Sequence, residues 1–435
     1  MDHELKTSRI AQALKKRKSK DKVIFTKRAV SHQVPKPGLE DKGDELDLSD
    51  MDAILDIDVK ERICTAEPGV TFSDLVKETL KHSLVPYLVP ELKGITIGGA
   101  VVGCSVESMS YKHGGFHDSC LEYELIDAKG GILNCSTKKN RRLFNMVHGT
   151  FGTLGILTRL KFKLLPAKKY VHLRYQKYKT LEDYKDAIGS HYRKKDVDFM
   201  DGLIHSPELF VLVIGNFTDT AKYTHSYGWK YPFYKATKKR DEDYMETYDY
   251  FFRYDSDCHW IARNYGLENP LIRFLFGRFF LGSTKMLKLA QKSSFLLKKK
   301  RPDVVVDVFV PFSCLEDFFE FYKTQFGDFP VWVVPYRMPE LYPWINAKHF
   351  SKIKDELFID LAIYGMKQKD DKNYYRILEE ALLKLPGIKT LISHNFYSEK
   401  EFWSVWNRKD YLELKRLTDP DNIFNDIYNK MCPKR

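Results

Sequence analysis

The sequence lacks the cysteine and apolar patterns that mark several common protein classes. Its seven cysteines form no C-x-x-C pair and their number is odd, which argues against a disulfide framework and a structural zinc site. The chain does not start with the apolar core of a signal peptide. It also contains no run of 18 apolar residues that would predict a transmembrane helix. We therefore expect a cytoplasmic protein without a metal site.

Several catalytic signatures are also missing. No predicted strand is followed by G-x-G-x-x-G, so a Rossmann dinucleotide site is not predicted. Neither the H-E-x-x-H zinc motif nor the G-x-S-x-G nucleophile turn occurs. The stretch Gly277–Thr284 has the glycine spacing of a P-loop, but it lacks the lysine that would reach the phosphates. The sequence thus gives no support to these nucleotide-binding and hydrolase classes.

Basic residues outnumber acidic ones, with 71 Lys and Arg against 59 Asp and Glu, a formal charge of +12 and a pI of about 9.0. The excess is spread along the chain and accompanies no known nucleic-acid motif, so no nucleic-acid partner is predicted. The basic run Lys15–Lys18 lies near the end of the polar segment 1–22. We interpret it as a solvated helix end rather than a targeting or lipid-binding patch.

Changes in composition and in the predicted secondary structure divide the sequence into segments. Residues 23–166 alternate short predicted strands with one clear helix, capped by Thr71 or Ser73, and a hairpin is predicted about Gly130. Residues 167–395 contain longer strands and helices rich in Tyr, Phe and Lys, and residues 396–435 are largely helical. The predicted fold class is α+β, with a first domain at 23–166, a second at 167–395 and a separate basic segment at 1–22.

The strongest motif lies within residues 86–118. Gly98 and Gly99 permit close approach of the backbone to a ligand, Gly103 follows four residues later, and Gly114 offers a second flexible turn. Serine hydroxyls lie between these glycines. Successive backbone N–H groups in such turns form nests that bind a pyrophosphate, so this segment is a candidate for a phosphorylated cofactor.

A second glycine pattern precedes a predicted strand. Gly149, Gly152 and Gly155 recur at every third position. This spacing indicates either a loop packed against a flat ligand or a plain glycine turn that leads into the strand, and the pattern alone does not choose between them.

The order of these motifs resembles a known superfamily. Thr96-x-Gly98-Gly99, then Glu107-Ser108, then Gly149-x-x-Gly152-x-x-Gly155-Ile156 is similar to the FAD-binding half of the vanillyl-alcohol oxidase and p-cresol methylhydroxylase (PCMH) superfamily. Within it, the protein resembles the Δ24-sterol reductases over almost its whole length. The stretch Pro166–Arg174 contains no residues with an evident catalytic role, so its similarity is a useful marker of the family.

The resemblance implies a two-subdomain PCMH-type FAD-binding domain, an α+β substrate domain that caps it, and a segment 396–435 that returns to the FAD domain. FAD is expected to be held without a covalent bond. The residues expected to bind it are Ser31, His32, Thr96, Ile97, Gly98, Gly99, Gly103, Cys104, Ser105, Glu107, Ser108, Lys112, Gly114, Gly152, Gly155 and Ile156. The first FAD loop of the superfamily is usually rich in glycine, whereas residues 27–35 contain none. Charge and hydroxyl groups at Lys27, Arg28 and Ser31 are expected to compensate.

The resemblance also implies a reaction, in which NADPH reduces the flavin and the flavin passes a hydride to a sterol or other isoprenoid double bond. A cation near the flavin is expected to stabilise the reduced ring, and Lys400 is the candidate, although a solvated lysine explains it as well. Tyr397, His113 and Glu91 are candidates for the acid that supplies the proton. Trp332, Tyr336, Arg337 and Tyr364 are expected to line the substrate cavity.

Two alternative functions remain open at this stage. An FAD-dependent oxidase or dehydrogenase of a sugar or lipid alcohol would share the fold and need no NADPH. A relative that has lost FAD and activity would explain the glycine-poor first loop.

A further segment suggests contact with a membrane surface. Residues 271–297 are apolar with interspersed Lys and Arg, and the basic run Lys298–Arg301 follows. This composition is typical of an amphipathic segment at an anionic membrane interface, and a core helix with one solvated face is the competing interpretation.

Overall fold

The computed structural model describes residues 2–19, 21–29, 43–286, 288, 303–351 and 353–432. Two predicted cofactor contacts, Ser31 and His32, lie outside the described residues, as does the basic run Lys298–Arg301. Helices and antiparallel sheets occur in both halves of the protein, as the α+β prediction requires.

Sixteen strands are found in the described part of the sequence. In order they are β1 Val23–Thr26, β2 Asp44–Asp47, β3 Ile54–Asp58, β4 Ile63–Ala66, β5 Leu84–Pro86, β6 Cys120–Ile126, β7 Ile132–Ser136, β8 Ile156–Pro166, β9 Tyr170–Tyr178, β10 Phe199–Ser206, β11 Leu209–Thr218, β12 Glu242–Glu246, β13 Val304–Pro311, β14 Val331–Arg337, β15 Leu357–Met366 and β16 Ile388–Lys389.

Most of the α-helices are short and lie between these strands. The described ones are His3–Lys16, Phe72–Leu80, Ile97–Gly103, Ser110–His113, Arg141–Met146, Leu181–Lys194, Phe233–Lys239, Thr247–Phe251, Pro270–Phe280, Leu315–Gln325, Tyr374–Lys384, Glu399–Val405, Arg408–Thr418 and Ile427–Met431. Among the helices that the structure describes, none is long and apolar enough to cross a membrane.

The first domain is built on a sheet in the order β3-β4-β8-β6-β7, with β5 paired to β8. The predicted hairpin is confirmed, because β6 and β7 pair in antiparallel register about a turn in which Gly130 has φ +75°. The predicted cap is confirmed as well, since the Thr71 hydroxyl accepts a hydrogen bond from the Asp74 amide at the start of helix Phe72–Leu80.

The N-terminal helix packs on this sheet instead of standing apart as the predicted separate segment. His3 is buried, with its ring nitrogens 2.9 Å from Glu67 Oε1 and 3.0 Å from Glu124 Oε1. Lys6 Nζ donates to Glu67 Oε2 at 2.8 Å. The helix ends at Lys16, which is exposed, as the helix-end interpretation of the basic run predicted.

The second domain is an eight-stranded antiparallel sheet in the order β12-β9-β11-β10-β14-β15-β13-β16. Alternating residues of β11 divide between two cores: Phe210 and Leu212 pack with the helices on one face, whereas Val211 and Val213 belong to the core that includes the first domain. One face of β11 therefore packs into the core that includes the first domain.

The C-terminal helices return to the first domain. The Ala128 amide donates to the Thr418 carbonyl at 2.9 Å, and the Val23 amide donates to the Ile423 carbonyl at 2.9 Å. Arg142 forms an exposed ion pair with Glu413 at 2.8 Å. These bonds join the helix Arg408–Thr418 and the segment that follows it to the first domain.

We predict that alanine at Gly98 and at the neighbouring Gly99 will differ sharply. A Cβ at Gly98 would lie 2.5 Å from Pro68 Cβ and 2.9 Å from the Pro68 carbonyl oxygen. To relieve this overlap the Pro68 backbone would have to move, which costs free energy. Gly99 is exposed, and a Cβ there meets only the Thr96 hydroxyl at 3.2 Å. We expect Gly98→Ala to cost about 1–3 kcal/mol of unfolding free energy and Gly99→Ala less than about 0.5. Equal urea midpoints for the two variants would contradict this.

Candidate active site at the domain junction

The first glycine motif forms a short helix, Ile97–Gly103. The backbone N–H groups of its first turn already have hydrogen-bond acceptors within the protein. The amides of Ile97, Gly98 and Gly99 donate to the Val70 carbonyl (3.0 Å), the Pro68 carbonyl (2.9 Å) and the Thr96 hydroxyl (3.2 Å). Neither glycine has a positive φ. The predicted nest at Gly98-Gly99 is therefore not present, because these glycines allow helix and turn to pack closely.

The helix ends where the backbone enters a partly exposed stretch. Cys104 adopts a left-handed conformation with φ 56° as the C-cap, and residues 102–106 keep some exposed surface. Desolvation by burial raises the pKa of the Cys104 thiol well above its usual value, so it stays protonated. This end of the motif, with Gly103, Cys104 and Ser105, lies beside the second glycine loop.

The second glycine loop, residues 149–155, has an unusual backbone. Gly149, Phe151, Gly152 and Gly155 all have positive φ, at 65°, 52°, 75° and 148°. A Cβ at Gly152 would meet only the Gly155 carbonyl oxygen, at 4.0 Å, so glycine is required there for conformation rather than space. The loop is thus more than a plain turn into β8.

Two side chains of the helix Arg408–Thr418 fix this loop. Tyr411 donates to Thr153 Oγ1 at 3.0 Å, and Lys415 Nζ donates to the Thr153 carbonyl at 2.7 Å. Lys415 also pairs with the buried Asp419 at 2.6 Å. Desolvation lowers the pKa of Lys415, although Asp419 opposes that effect.

Both loops meet the second domain at a group of side chains that we call the junction cluster. Its members are Cys104, His117, Asp118, His148, Tyr336, Tyr342 and Trp344. A Cβ at Gly149 would lie 3.5 Å from both Cys104 Sγ and the Trp344 ring. The His117 ring centroid lies 4.7 Å from that of His148 and 4.9 Å from that of Tyr342. The Tyr342 ring stacks on Trp344 at 5.4 Å.

A series of hydrogen bonds runs through the cluster from the second domain into the first. The Tyr342 hydroxyl donates to Asp118 Oδ2 at 2.6 Å. Because that bond uses the Tyr342 proton, the close Tyr336 hydroxyl donates to the Tyr342 oxygen. The Gly115 amide donates to the same Asp118 oxygen at 2.7 Å. Asp118 is 16% exposed and links this series to solvent.

Two other side chains of the cluster have buried polar atoms with open bonding capacity. Both ring nitrogens of His117 and the indole nitrogen of Trp344 have no hydrogen-bond partner. Burial lowers the pKa of His117, and it lowers that of His148 well below the usual value, so both rings are neutral at neutral pH. Burial raises the pKa values of Tyr336 and Tyr342 well above their usual values, so both phenols remain protonated.

A second buried group, the central cluster, surrounds His259. Its ring lies 4.8 Å from Trp332 and 4.6 Å from Tyr364, and its Nε2 is 3.0 Å from Glu91 Oε1. The structure thus brings together three predicted site residues, Glu91, Trp332 and Tyr364, around a histidine that the sequence analysis did not select.

An ion pair lies beside the central cluster and uses two predicted cofactor ligands. Arg253 Nη2 is 2.8 Å from Glu107 Oε1 and 3.0 Å from Asp201 Oδ2, and all three side chains are buried. The Ser108 hydroxyl donates to Glu107 and accepts from Tyr250 at 2.9 Å. In this structure Glu107 and Ser108 bind protein partners.

The predicted acids are placed away from the junction cluster. The His113 ring lies 5.0 Å from that of Tyr87 in a tilted arrangement, and burial lowers its pKa to about 4, so it is a poor acid at neutral pH. Tyr397 is buried against Trp406 with ring centroids 5.5 Å apart. Glu91 belongs to the central cluster.

Lys400 does not enter a buried site. It is exposed in the first turn of helix Glu399–Val405, where Ser398 and Glu401 form a capping box. Its placement therefore gives no support to the predicted role beside a flavin. Of the other predicted residues, Lys112 Nζ reaches the Val197 carbonyl at 3.5 Å, and Arg337 lies 3.9 Å from Glu356 at a part-exposed position.

Gly114 and Ile156 have defined structural roles. Gly114 has φ +81° and a Cβ there would overlap Asp118 Oδ2 at 2.2 Å, while Ile156 is buried at the start of β8. Within the described ranges no group of His, Cys, Asp and Glu side chains is arranged for a metal ion.

Comparison with known proteins gives the family context. A family described as "FAD binding domain" matches residues 7–136. The Delta(24)-sterol reductase of Homo sapiens is 28% identical over 395 residues, 87% of this chain and 76% of the relative. That of Pisum sativum is 26% identical over 482 residues, covering 100% of this chain and 84% of the relative.

The protein is an FAD-linked oxidoreductase related to the Delta(24)-sterol reductases. The FAD-binding match spans helix Ile97–Gly103 and His117, but ends before the loop 149–155. Cytokinin dehydrogenase 5 of Arabidopsis thaliana is similar over only 31% of this chain, at 27% identity. The similarity to the sterol reductases extends through both domains, as the resemblance of the sequence predicted.

The residues of the junction cluster fit a flavin. His117 and Trp344 present buried polar atoms with no hydrogen-bond partner, and the polar edge of a flavin offers both donors and acceptors. The positive φ values of loop 149–155 and the part-exposed residues 102–106 leave backbone accessible beside these rings. Gly103, Cys104, Ser105 and Gly152 are the predicted ligands nearest to this position.

We predict that Lys415→Met will loosen the 149–155 loop and reduce FAD retention. The change leaves Asp419 buried without its cation and removes a bond to the Thr153 carbonyl, which should cost about 3 kcal/mol. Lys409→Met, at an exposed position of the same helix, is the matched control. Unfolding midpoints and the FAD content of purified protein are the measurements. Full FAD content and unchanged stability in Lys415→Met would refute this role.

Proposed function

We propose that this protein reduces a carbon–carbon double bond in the aliphatic tail of a sterol, at Δ24, or of a related isoprenoid lipid, with NADPH as the source of reducing equivalents. The relatives named Delta(24)-sterol reductase cover 87% or more of this protein, including the second domain. The observation that carries the proposal is the Tyr336–Tyr342–Asp118 series of hydrogen bonds, which crosses from the second domain to the first beside the proposed flavin position.

FAD, when bound, supplies hydride transfer at its flavin ring. The protein must then bind the flavin and substrate, exclude water and supply one proton to the second carbon of the double bond. An isolated carbon–carbon double bond has no polar group to guide it, so its position must come from apolar contacts.

We propose that Tyr336 holds and donates that proton. Its pKa is raised by burial, so the phenol stays protonated, and its oxygen is in hydrogen-bond contact with Tyr342. Tyr342 in turn contacts Asp118, which is partly exposed. To donate, the Tyr336 hydroxyl turns from Tyr342 to the substrate. The two hydrogen bonds then reverse: Tyr342 passes its proton to the Tyr336 oxygen, and Asp118, protonated from solvent, restores the proton of Tyr342. This path keeps water itself out of the site.

Apolar side chains around Tyr336 suit a lipid substrate. Ile345, Phe350 and Phe358 are buried in the same core as Tyr336 and Tyr342, and Val106 of the first domain packs against it. Such surroundings exclude water and strengthen the hydrogen bonds within them. We place the reacting end of the substrate between Val106 and Tyr336.

The substrate class bears on where the protein works. A sterol is a membrane lipid, so we propose that the protein acts in the cytoplasm at a membrane surface. The net charge of +12 favours approach of the phosphorylated nucleotide NADPH.

We expect the purified protein to show flavin absorption bands that bleach when NADPH is added without oxygen. A Δ24-unsaturated sterol such as desmosterol should then restore the bands, because it removes the hydride. A saturated sterol is the control acceptor. Bands that do not respond to NADPH, but bleach with an alcohol, would favour the oxidase alternative.

We also expect Tyr336→Phe and Tyr342→Phe to slow reoxidation of the reduced protein by the sterol at least tenfold, the low end of a typical general-acid contribution. NADPH reduction of the flavin should be unchanged, because no proton is delivered to substrate in that half-reaction. Tyr322→Phe is the matched control, since Tyr322 is equally buried but bonds to the Asp328 carbonyl in another core.

Equal loss of both half-reactions in the two variants would indicate that these tyrosines only join the domains. A solvent isotope effect confined to the sterol half-reaction of the wild-type protein would separate proton delivery from such a structural role.

A further inference from the structure

The helix Pro270–Phe280 is amphipathic in the reverse sense of a core helix. Its most exposed side chains are large and apolar: Leu271 is 66% exposed, Phe274 69% and Phe279 62%. By contrast, the charged Arg273 is 3% exposed. In a helix that packs on the core of a soluble protein, the apolar side chains are buried and the charged ones are exposed.

The polar side of the helix is what holds it to the protein. Arg273 Nη2 is 2.9 Å from Asp257 Oδ2 and 3.3 Å from the Gly228 carbonyl. Gly277 lies against the backbone at Trp229, where a Cβ would be 3.4 Å from the carbonyl oxygen. The Asn269 amide oxygen caps the first turn by accepting from the Leu271 backbone N–H at 2.9 Å. The helix is therefore fixed in place with its apolar stripe outward.

The outward stripe is continuous. Leu271, Phe274, Leu275 and Phe279 follow the i, i+3, i+4, i+8 spacing of one helix face, and each is more than half exposed. Flanking positions add further exposed apolar side chains, namely Ile272, Phe276 and Phe280. Soluble monomers rarely expose a continuous apolar patch of this kind without a binding partner.

Aromatic and cationic side chains border the stripe. The Trp229 ring centroid lies 6.5 Å from that of Phe274, and Tyr231 nearby is 38% exposed. Lys230 Nζ lies 5.9 Å from the Trp229 ring and Lys239 Nζ lies 6.0 Å from the Tyr231 ring. Trp and Tyr rings with lysines beside an apolar surface match the composition of the membrane–water interface.

The charge of this border is positive. Lys285 and Lys288, just beyond the helix, are also exposed. Two acidic residues close in sequence to the helix are engaged: Asp257 pairs with Arg273, and Glu268 pairs with Lys235 at 2.8 Å. An anionic lipid headgroup is complementary to this border, whereas a second copy of the same face would oppose lysine to lysine.

We infer that the helix Pro270–Phe280, with Trp229–Tyr231 beside it, docks this protein on an anionic phospholipid bilayer. The apolar stripe enters the level where headgroups meet acyl chains, the aromatic rings lie at the interface and the lysines contact anionic headgroups. This inference goes beyond the proposed reductase activity, because it requires only the surface and not a flavin or a sterol.

The test is co-sedimentation of the FAD-loaded full-length protein with vesicles of phosphatidylcholine, with and without phosphatidylserine. We expect binding to the mixed vesicles that falls when salt is raised from about 0.1 M to about 1 M. Leu271→Glu and Phe274→Glu should each lower the partition coefficient about tenfold or more, because each removes one buried apolar side chain and adds a charge.

The matched control is Leu417→Glu, since Leu417 is 69% exposed on a different helix. It should bind vesicles as the wild type does, and all three variants should keep the wild-type unfolding midpoint and rate of flavin reduction. That rate separates a failure of docking from a failure of the proposed function.

Three results would overturn the inference. The wild type would not sediment with mixed vesicles at low salt, or Leu271→Glu and Leu417→Glu would bind equally well. In the third, the wild type would be a dimer in solution that Leu271→Glu converts to a monomer without any vesicle binding, which would assign the stripe to a second copy.

Discussion

The arrangement of the two domains depends on the buried guanidinium of Arg253, which pairs with Glu107 of the first domain and Asp201 of the second-domain sheet. Breaking such a buried pair leaves an uncompensated charge, so it fixes one relative position of its partners. Three residues that follow, at every second position, are also engaged, and of these Asp255 and His259 reach the first domain whereas Asp257 binds within the second. Asp255 accepts from the Lys93 amide at 2.9 Å, Asp257 binds Arg273, and His259 binds Glu91.

This fixed arrangement explains how a junction with neutral, buried polar groups forms. The loop 149–155 is held from the other side by Lys415, so neither wall of the junction depends on the other for its position. The walls then bring Tyr342 within 2.6 Å of Asp118 although the two residues are 224 positions apart. Burial keeps the rings at the junction uncharged, which suits a flavin and an apolar substrate.

Local signals in the sequence predicted the local structure, but they did not predict contacts between residues that are distant in the sequence. The Thr71 cap and the hairpin at Gly130 depend on a few adjacent residues, so their residue types suffice. His117 and Tyr342 carry no motif, because their importance arises from folding the two domains together. The placement of Lys400 follows from a local signal, because the S-x-x-E capping box at Ser398 marks a helix start whose next residues face solvent.

The lipid-facing helix and the central cluster are attached to the same short segment of backbone. Asp257 anchors the helix through Arg273, and two residues later His259 lies against Trp332 and Tyr364. A bilayer bound to the helix would therefore hold a fixed orientation relative to the second-domain sheet, since no flexible linker separates them within the described residues. An apolar substrate leaving that bilayer would meet a protein that is already oriented on the membrane. Less entropy is then lost when the substrate binds.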